Sequence, residues 1–135
     1  GVLCLSPTRE LAQQTADEAK ALLASHDASF GVQCIVGGTN IRREQTALRG
    51  SPPPTVLVAT PGRLVDHLQN SGLAELCGNL RVLVFDEADR LLDMGFRPQI
   101  RQLLEILPDK ESRQTLLFSA TFPENVSTIA QVAMR

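Results

Sequence analysis

The sequence predicts an α/β fold built on a mostly parallel sheet, and two observations carry that prediction. Five short apolar runs, at about residues 2–5, 32–36, 55–59, 82–85 and 115–118, alternate with longer segments of helical periodicity. Strand and helix alternating along one chain imply parallel strands, because a crossover helix is what joins parallel neighbours. Each apolar run is also followed at once by a polar cluster of Ser, Thr, Gly, Arg or Asp. In an open sheet of this type those clusters share the carboxyl edge, where ligands bind. At 135 residues the chain is one domain, or part of one, and large enough for a real core.

Val2-Leu3-Cys4-Leu5 is the first buried strand, and almost nothing leads into it. A domain seldom starts on a core strand, so the expectation is a chain cut from something longer. Ser6 or Thr8 can cap the helix that follows, Pro7 suits its entry, and Glu10 lies in its first turn. Leu11, Thr15, Ala19, Leu22 and Leu23 recur at helical spacing and mark the expected buried face. The free N–H groups and positive dipole end of such a helix start suit a phosphate.

Phe30 to Val36 gives the second strand, which ends in Gly37-Gly38-Thr39 and leads to a helix from about Ile41 to Leu48. Taken alone, a Gly pair is a plain turn. Arg42 and Arg43 read as solvated helix charges. Gly50-Ser51-Pro52-Pro53-Pro54 is the one low-complexity patch, too short for a domain linker, and forms a surface loop into the strand Thr55 to Ala59. Thr60-Pro61-Gly62-Arg63 then opens a helix to about Gln69, with Thr60 as N-cap and proline at the first helical position. Arg63 and the free N–H groups of that turn can grip a phosphate.

Val82-Leu83-Val84-Phe85 is four apolar residues long, the pattern of a strand covered on both faces. Asp86-Glu87-Ala88-Asp89 follows where the strand leaves the sheet. Ionising adjacent carboxylates in dry surroundings is costly, so such a pair needs a cation or a reactive water to work on. An apolar strand ending in Asp-Glu is the Walker-B arrangement of nucleotide hydrolases: the Asp holds magnesium and the Glu polarises the attacking water. A short helix follows with Gly95 as its stop, then a second from Arg97 to Leu107 carrying Ile100, Leu103, Leu104 and Leu107 on one face. Met94 and Phe96 read as packing residues, and Arg97 as a candidate nucleic-acid contact. Gln114 to Phe118 is the last strand, ending in Ser119-Ala120-Thr121, and a helix from about Glu124 runs to the end of the chain.

Composition narrows the function classes. A net charge of −2 argues against a broad basic nucleic-acid surface, and 4% aromatics with no Trp or Tyr argue against a base-stacking platform. Any RNA contacts must be few, local and mostly to the backbone. Cys4, Cys34 and Cys77 are widely spaced with no C-x-x-C, which fits small core hydrophobes in a reducing intracellular compartment. His26 and His67 are isolated and read as solvated. No apolar run approaches the ~20 residues of a membrane span, so no membrane partner is expected.

Read together, P-T-R-E-L-A, the Gly-Gly pair, T-P-G-R, D-E-A-D and S-A-T occur in that order over the whole chain. In this the sequence resembles the DEAD-box ATP-dependent RNA helicases. The resemblance implies a RecA-like, P-loop NTPase type, three-layer α/β fold, with residues 1–135 covering part of the first RecA-like domain from motif Ia to just past S-A-T. It implies ATP and Mg²⁺ as cofactors. Asp86 would reach Mg²⁺ through water, and Glu87 would be the base that orients the attacking water. Asp89, Ser119 and Thr121 would couple the nucleotide to the RNA site. The RNA sugar–phosphate backbone would be held by Pro7, Thr8, Arg9, Glu10, Gly37, Gly38, Thr60, Gly62 and Arg63. A second RecA-like domain of the same parent chain would be the other partner.

The resemblance also shows what these residues lack. A P-loop needs G-x-x-x-x-G-K-[ST], and the only lysines, Lys20 and Lys110, do not follow glycine. The family places that loop upstream and its strand beside the S-A-T strand. The expectations are therefore that this segment alone neither hydrolyses ATP nor unwinds RNA, and that an uncovered sheet edge makes it poorly soluble or partly unfolded. Two rivals of other classes stay open: a non-enzymatic RNA-binding remnant that lost the phosphate loop, and a DNA-directed RecA-like motor.

Overall fold

The computed structural model describes residues 1–26 and 29–135. It contains five strands, β1 (Val2–Leu5), β2 (Val32–Ile35), β3 (Val56–Ala59), β4 (Val82–Phe85) and β5 (Gln114–Leu117). They alternate with helices α1 (Arg9–Leu23), α2 (Ile41–Leu48), α3 (Pro61–Asn70), α4 (Leu73–Cys77), α5 (Ala88–Asp93), α6 (Arg97–Ile106) and α7 (Glu124–Ala133). A 3₁₀ turn at Lys110–Ser112 leads into β5. The strands form one sheet in the order β2-β3-β1-β4-β5, and every pairing is parallel. All five strands stand where the apolar runs placed them.

Alternation along each strand divides the core into two layers. Leu3, Leu5, Leu57, Ala59, Leu83 and Phe85 point to one face, where residues of α2 through α7 bury the larger cluster. Cys4, Val58 and Val36 point to the other, where Ala12 and Ala16 of α1 cover them. This is the expected three-layer arrangement with unequal covers: among the described residues, one helix lies on one face and six on the other. Val82, Val84 and Leu116 share the α1 face but lie across β4 and β5, and they stay half-exposed. β5 is an edge strand, paired only with β4.

Several expectations change in three dimensions. The buried stripe of α1 is Ala12 and Ala16; Leu11, Thr15, Ala19 and Leu23 flank it half-buried, and Leu22 is 72% exposed. Two alanines let the helix sit close to the sheet, which moves the stripe by one residue. Met94 is 49% exposed, whereas Phe96 does pack on the core. Gly95 ends α5 in the left-handed region at φ +81, with its N–H on the Leu92 carbonyl and that of Phe96 on Leu91. Helix α4 was not foreseen, and α7 stops at Ala133 instead of running to the last residue.

The cysteines are the core residues expected. All three are free, and burial pushes the Cys4 and Cys77 thiols up to about 11 and raises Cys34 as well, so they pack as thiols rather than reacting as thiolates. No described helix is long and apolar enough to cross a membrane.

Candidate functional site

Register gathers the site. Leu5 stands beside Ala59 and Phe85, Ala59 beside Ile35, and Phe85 beside Leu117, so all five strands end level. The polar segment after each strand therefore starts on the same edge of the sheet. The sequence reading required this, and parallel pairing delivers it.

At the centre of that edge, the Asp86 N–H donates to Leu5 O at 2.9 Å, continuing the ladder one residue past β4. Glu87 then turns the chain at φ 49 and ψ 57, the only non-glycine residue at positive φ among those described. Holding an L-residue there costs about 1–2 kcal/mol, a strain tolerated where the surrounding structure dictates it. The Ala88 N–H donates to Phe118 O at 2.9 Å and fixes the turn against β5. Partial burial raises the pKa of Asp86 above the usual Asp value, and the neighbouring Glu87 charge adds to the rise. Among the described residues no basic side chain forms an ion pair with Asp86. Glu87 Oε2 instead meets Arg90 Nη1 at 3.1 Å in an exposed pair.

Asp86 offers an uncompensated carboxylate at a strand end, which fits a hard divalent cation. No group of three or more His, Cys, Asp or Glu converges on a metal site among the described residues. Magnesium needs no such cluster, because it binds through one or two carboxylates and completes its shell from water and substrate phosphates.

Asp89 binds the last motif. Its Oδ2 accepts from the Thr121 N–H at 3.1 Å and the Thr121 hydroxyl at 2.8 Å. Ser119 Oγ accepts from the Asp89 N–H at 3.1 Å and donates to Thr121 O at 2.6 Å. These hydrogen bonds, led by the Thr121 hydroxyl, hold the Asp89 carboxyl below the usual Asp range. The three residues expected to couple are thus directly joined.

The phosphate-facing expectations resolve residue by residue. Thr8 caps α1, accepting from the Leu11 N–H at 3.2 Å, while Pro7 lies buried beneath it and Glu10 is exposed. Arg9 Nη1 donates to Gly37 O at 3.2 Å, which ties the first motif to the Gly-Gly loop. Gly38 sits at φ +82, so the backbone favours glycine, and a Cβ there would displace the Arg9 guanidinium from its place beside the loop. A Cβ on Gly37 or Gly62 would meet only open space, leaving their backbones approachable from outside. Thr60 occupies the N-cap of α3 but its hydroxyl makes no capping bond, and it is buried.

Arg63, expected to face a phosphate, is turned inward. Its Nε donates to Val36 O at 3.1 Å, Nη2 donates to Thr39 O, and Glu44 Oε2 lies 3.3 Å from Nε. His67, expected in solvent, is fully buried, with Nε2 2.7 Å from Glu44 Oε2. Glu44 was not singled out in the sequence, and His67 was read there as a solvated side chain. The available signal was periodicity: His67 shares the buried face of α3 with Leu64 and Leu68. Arg97 is half-buried and lines a groove between α6 and α7. His26, Arg42 and Arg43 are exposed as expected.

A parallel sheet whose β4 strand ends in an acidic pair, latched to a Ser-Ala-Thr turn, defines a RecA-like α/β domain. Comparison with known proteins agrees. The profile of the DEAD/DEAH box helicase family matches residues 1–129, and the chain belongs to that family. It is 52% identical over 135 residues to DEAD-box ATP-dependent RNA helicase 26 of Oryza sativa subsp. japonica, covering 99% of this chain and 24% of the relative. It is 51% identical to DEAD-box ATP-dependent RNA helicase 25 of Oryza sativa subsp. japonica, covering 99% of this chain and 22% of the relative. Among solved structures, Mss116p bound to ssRNA and AMP-PNP superimposes with a TM-score of 0.86 at 32% identity, covering 98% of this chain and 27% of that one. The chain thus spans about a quarter of the length of these proteins.

Proposed function

We propose that this chain is the part of a first RecA-like domain running from motif Ia to just past S-A-T. The parent protein would be an ATP-dependent RNA helicase that couples RNA-stimulated ATP hydrolysis to local duplex opening. The observation that carries the reading is the latch of Asp89 on Ser119 and Thr121, beside the acidic pair and on the same edge as the Gly-Gly and T-P-G-R turns. The relatives' names as ATP-dependent RNA helicases and the ssRNA and AMP-PNP of the matching structure support it.

In this reading Asp86 holds Mg²⁺ through water, and the ion supplies neutralisation of the phosphate charge. Glu87 orients the attacking water. Its exposed pairing with Arg90 is worth about 0–1 kcal/mol, so the carboxylate is easily released for that task. The edge formed by Thr8, Arg9, Glu10, Gly37, Gly38 and Gly62 holds the RNA sugar–phosphate backbone without reading bases. Pro7, Thr60 and Arg63 support those turns from beneath. The P-loop and the second RecA-like domain, which complete the site, would come from elsewhere in the parent chain. The three protonated cysteines fit a reducing intracellular compartment.

The test compares ATP hydrolysis by the full-length protein alone, with single-stranded RNA and with single-stranded DNA. Stimulation by RNA above DNA, lost in Glu87→Gln, is expected. Equal stimulation by DNA would favour a DNA-directed motor, and RNA binding with no turnover would leave a non-enzymatic RNA-binding protein.

A further inference from the structure

Behind the Gly-Gly and T-P-G-R turns lies a buried polar cluster whose centre none of the sequence motifs covers. Its centre is Glu44, on α2, whose side chain is only 9% exposed. Oε1 accepts from the Val36 N–H at 3.3 Å and from the Thr39 hydroxyl. Oε2 meets Arg63 Nε at 3.3 Å and His67 Nε2 at 2.7 Å. One carboxylate thus grips both sides of Gly37-Gly38 and two turns of α3. A carboxylate so enclosed is tolerated only when its lone pairs and charge are met, and here the Val36 N–H, the Thr39 hydroxyl, the His67 ring and the Arg63 charge converge on it.

Ser71 holds the other side of the His67 ring. Gln45 Nε2 donates to Ser71 Oγ at 2.8 Å, and His67 Nδ1 lies 3.1 Å from the same hydroxyl. A neutral ring with its proton on Nε2 satisfies both contacts, accepting from Ser71 and donating to Glu44. This chain of bonds starts on α2, crosses to the end of α3 and returns to Glu44. It fixes the ring as a strut, much as outer partners orient the ligands of a metal site.

We propose that Glu44 is a positioning residue for RNA and that His67 braces it. Together they hold the Gly37–Thr39 turn and the start of α3 as one preformed surface, so the RNA backbone meets both without first ordering them. This inference rests on the function proposed above. It assigns Glu44 no contact with RNA: it acts through Thr39, the Val36 N–H and Arg63.

The experiment uses the full-length protein and reads ATP hydrolysis against RNA concentration. Glu44→Ala raises the KM for RNA roughly tenfold, the scale of one lost charge-assisted hydrogen bond, while kcat at saturating RNA falls less than twofold. Glu44→Gln, which keeps an acceptor for the loop, recovers part of that loss. Thr39→Val is an exposed change that leaves the core intact. It raises KM about threefold, and in combination with Glu44→Ala adds nothing further, because both act through one contact. Unchanged KM in Thr39→Val, additive effects in the double variant, or a fall in kcat with KM unmoved would overturn the positioning role. A wild-type protein whose ATPase ignores RNA would instead overturn the function on which it rests.

Discussion

Asp89 and Thr121 lie 32 positions apart, and both the N–H and the hydroxyl of Thr121 donate to a single oxygen of Asp89. The bond pair joins the segment after β4 to the turn after β5, so a displacement of one is felt by the other. It also has a pH signature. The Asp89 carboxyl is held below the usual Asp range, first by the Thr121 hydroxyl. Its stabilising contribution is therefore complete above the ordinary Asp value near 3.8 and is lost as pH falls below it. Removing the hydroxyl in Thr121→Val should raise the pH at which the fold is lost in an acid titration followed by circular dichroism.

The acidic pair costs the fold stability at the place proposed for the chemistry. Asp86 is shifted the other way, by burial and by Glu87, so at neutral pH its ionised form costs the fold stability. Asp86→Asn should raise Tm by about 1–3 °C while stopping turnover, and a lower Tm would contradict the shift. Glu87→Gln keeps the shape and removes the carboxylate proposed as the base. ATP binding by the full-length protein should persist while hydrolysis falls by at least ~100-fold.

Gly38 has a left-handed backbone, and the Arg9 guanidinium stands where a Cβ would lie and would have to move aside. Gly38→Ala should cost about 1–2 kcal/mol of local order and break the Arg9 tie to Gly37. Gly37→Ala, facing open space, should leave the fold unchanged. Comparing the two by RNA affinity and by thermal melting separates backbone strain from access to the RNA chain.

The parts of this molecule that were legible in sequence are those written locally. Each strand is a run of apolar residues, each turn follows within three positions, and parallel pairing needs no further information to line them up. Asp86, Glu87, Asp89, Ser119 and Thr121 could be placed for that reason. What sequence could not show depends on distant pairs. His67 and Glu44 meet across 23 positions, and no local pattern distinguishes a solvated histidine from one whose ring is satisfied by a remote carboxylate. Arg63 faces inward because Val36, Thr39 and Glu44 offer it acceptors there. The α1 stripe fell on Ala12 and Ala16 because close packing against the sheet favours small side chains over the leucines that mark a stripe by hydrophobicity.

Residues 1–135 taken alone leave β5 with one open edge, and Phe118 and Phe122 are 56% and 60% exposed. With Val82, Val84 and Leu116 half-covered on the α1 face, such a surface invites association. The isolated segment should scatter light increasingly with concentration and show no ATP turnover. A monomer with a sharp cooperative melt near ~60 °C would count against this.

The most direct test is linkage between nucleotide and RNA in the full-length protein. Single-stranded RNA affinity is measured with and without AMP-PNP, in the wild type and in Thr121→Val. If Asp89 and Thr121 carry the coupling, the nucleotide tightens RNA binding by roughly tenfold or more in the wild type and by less than threefold in the variant. Equal tightening in both would mean that the signal between the two sites does not pass through this pair.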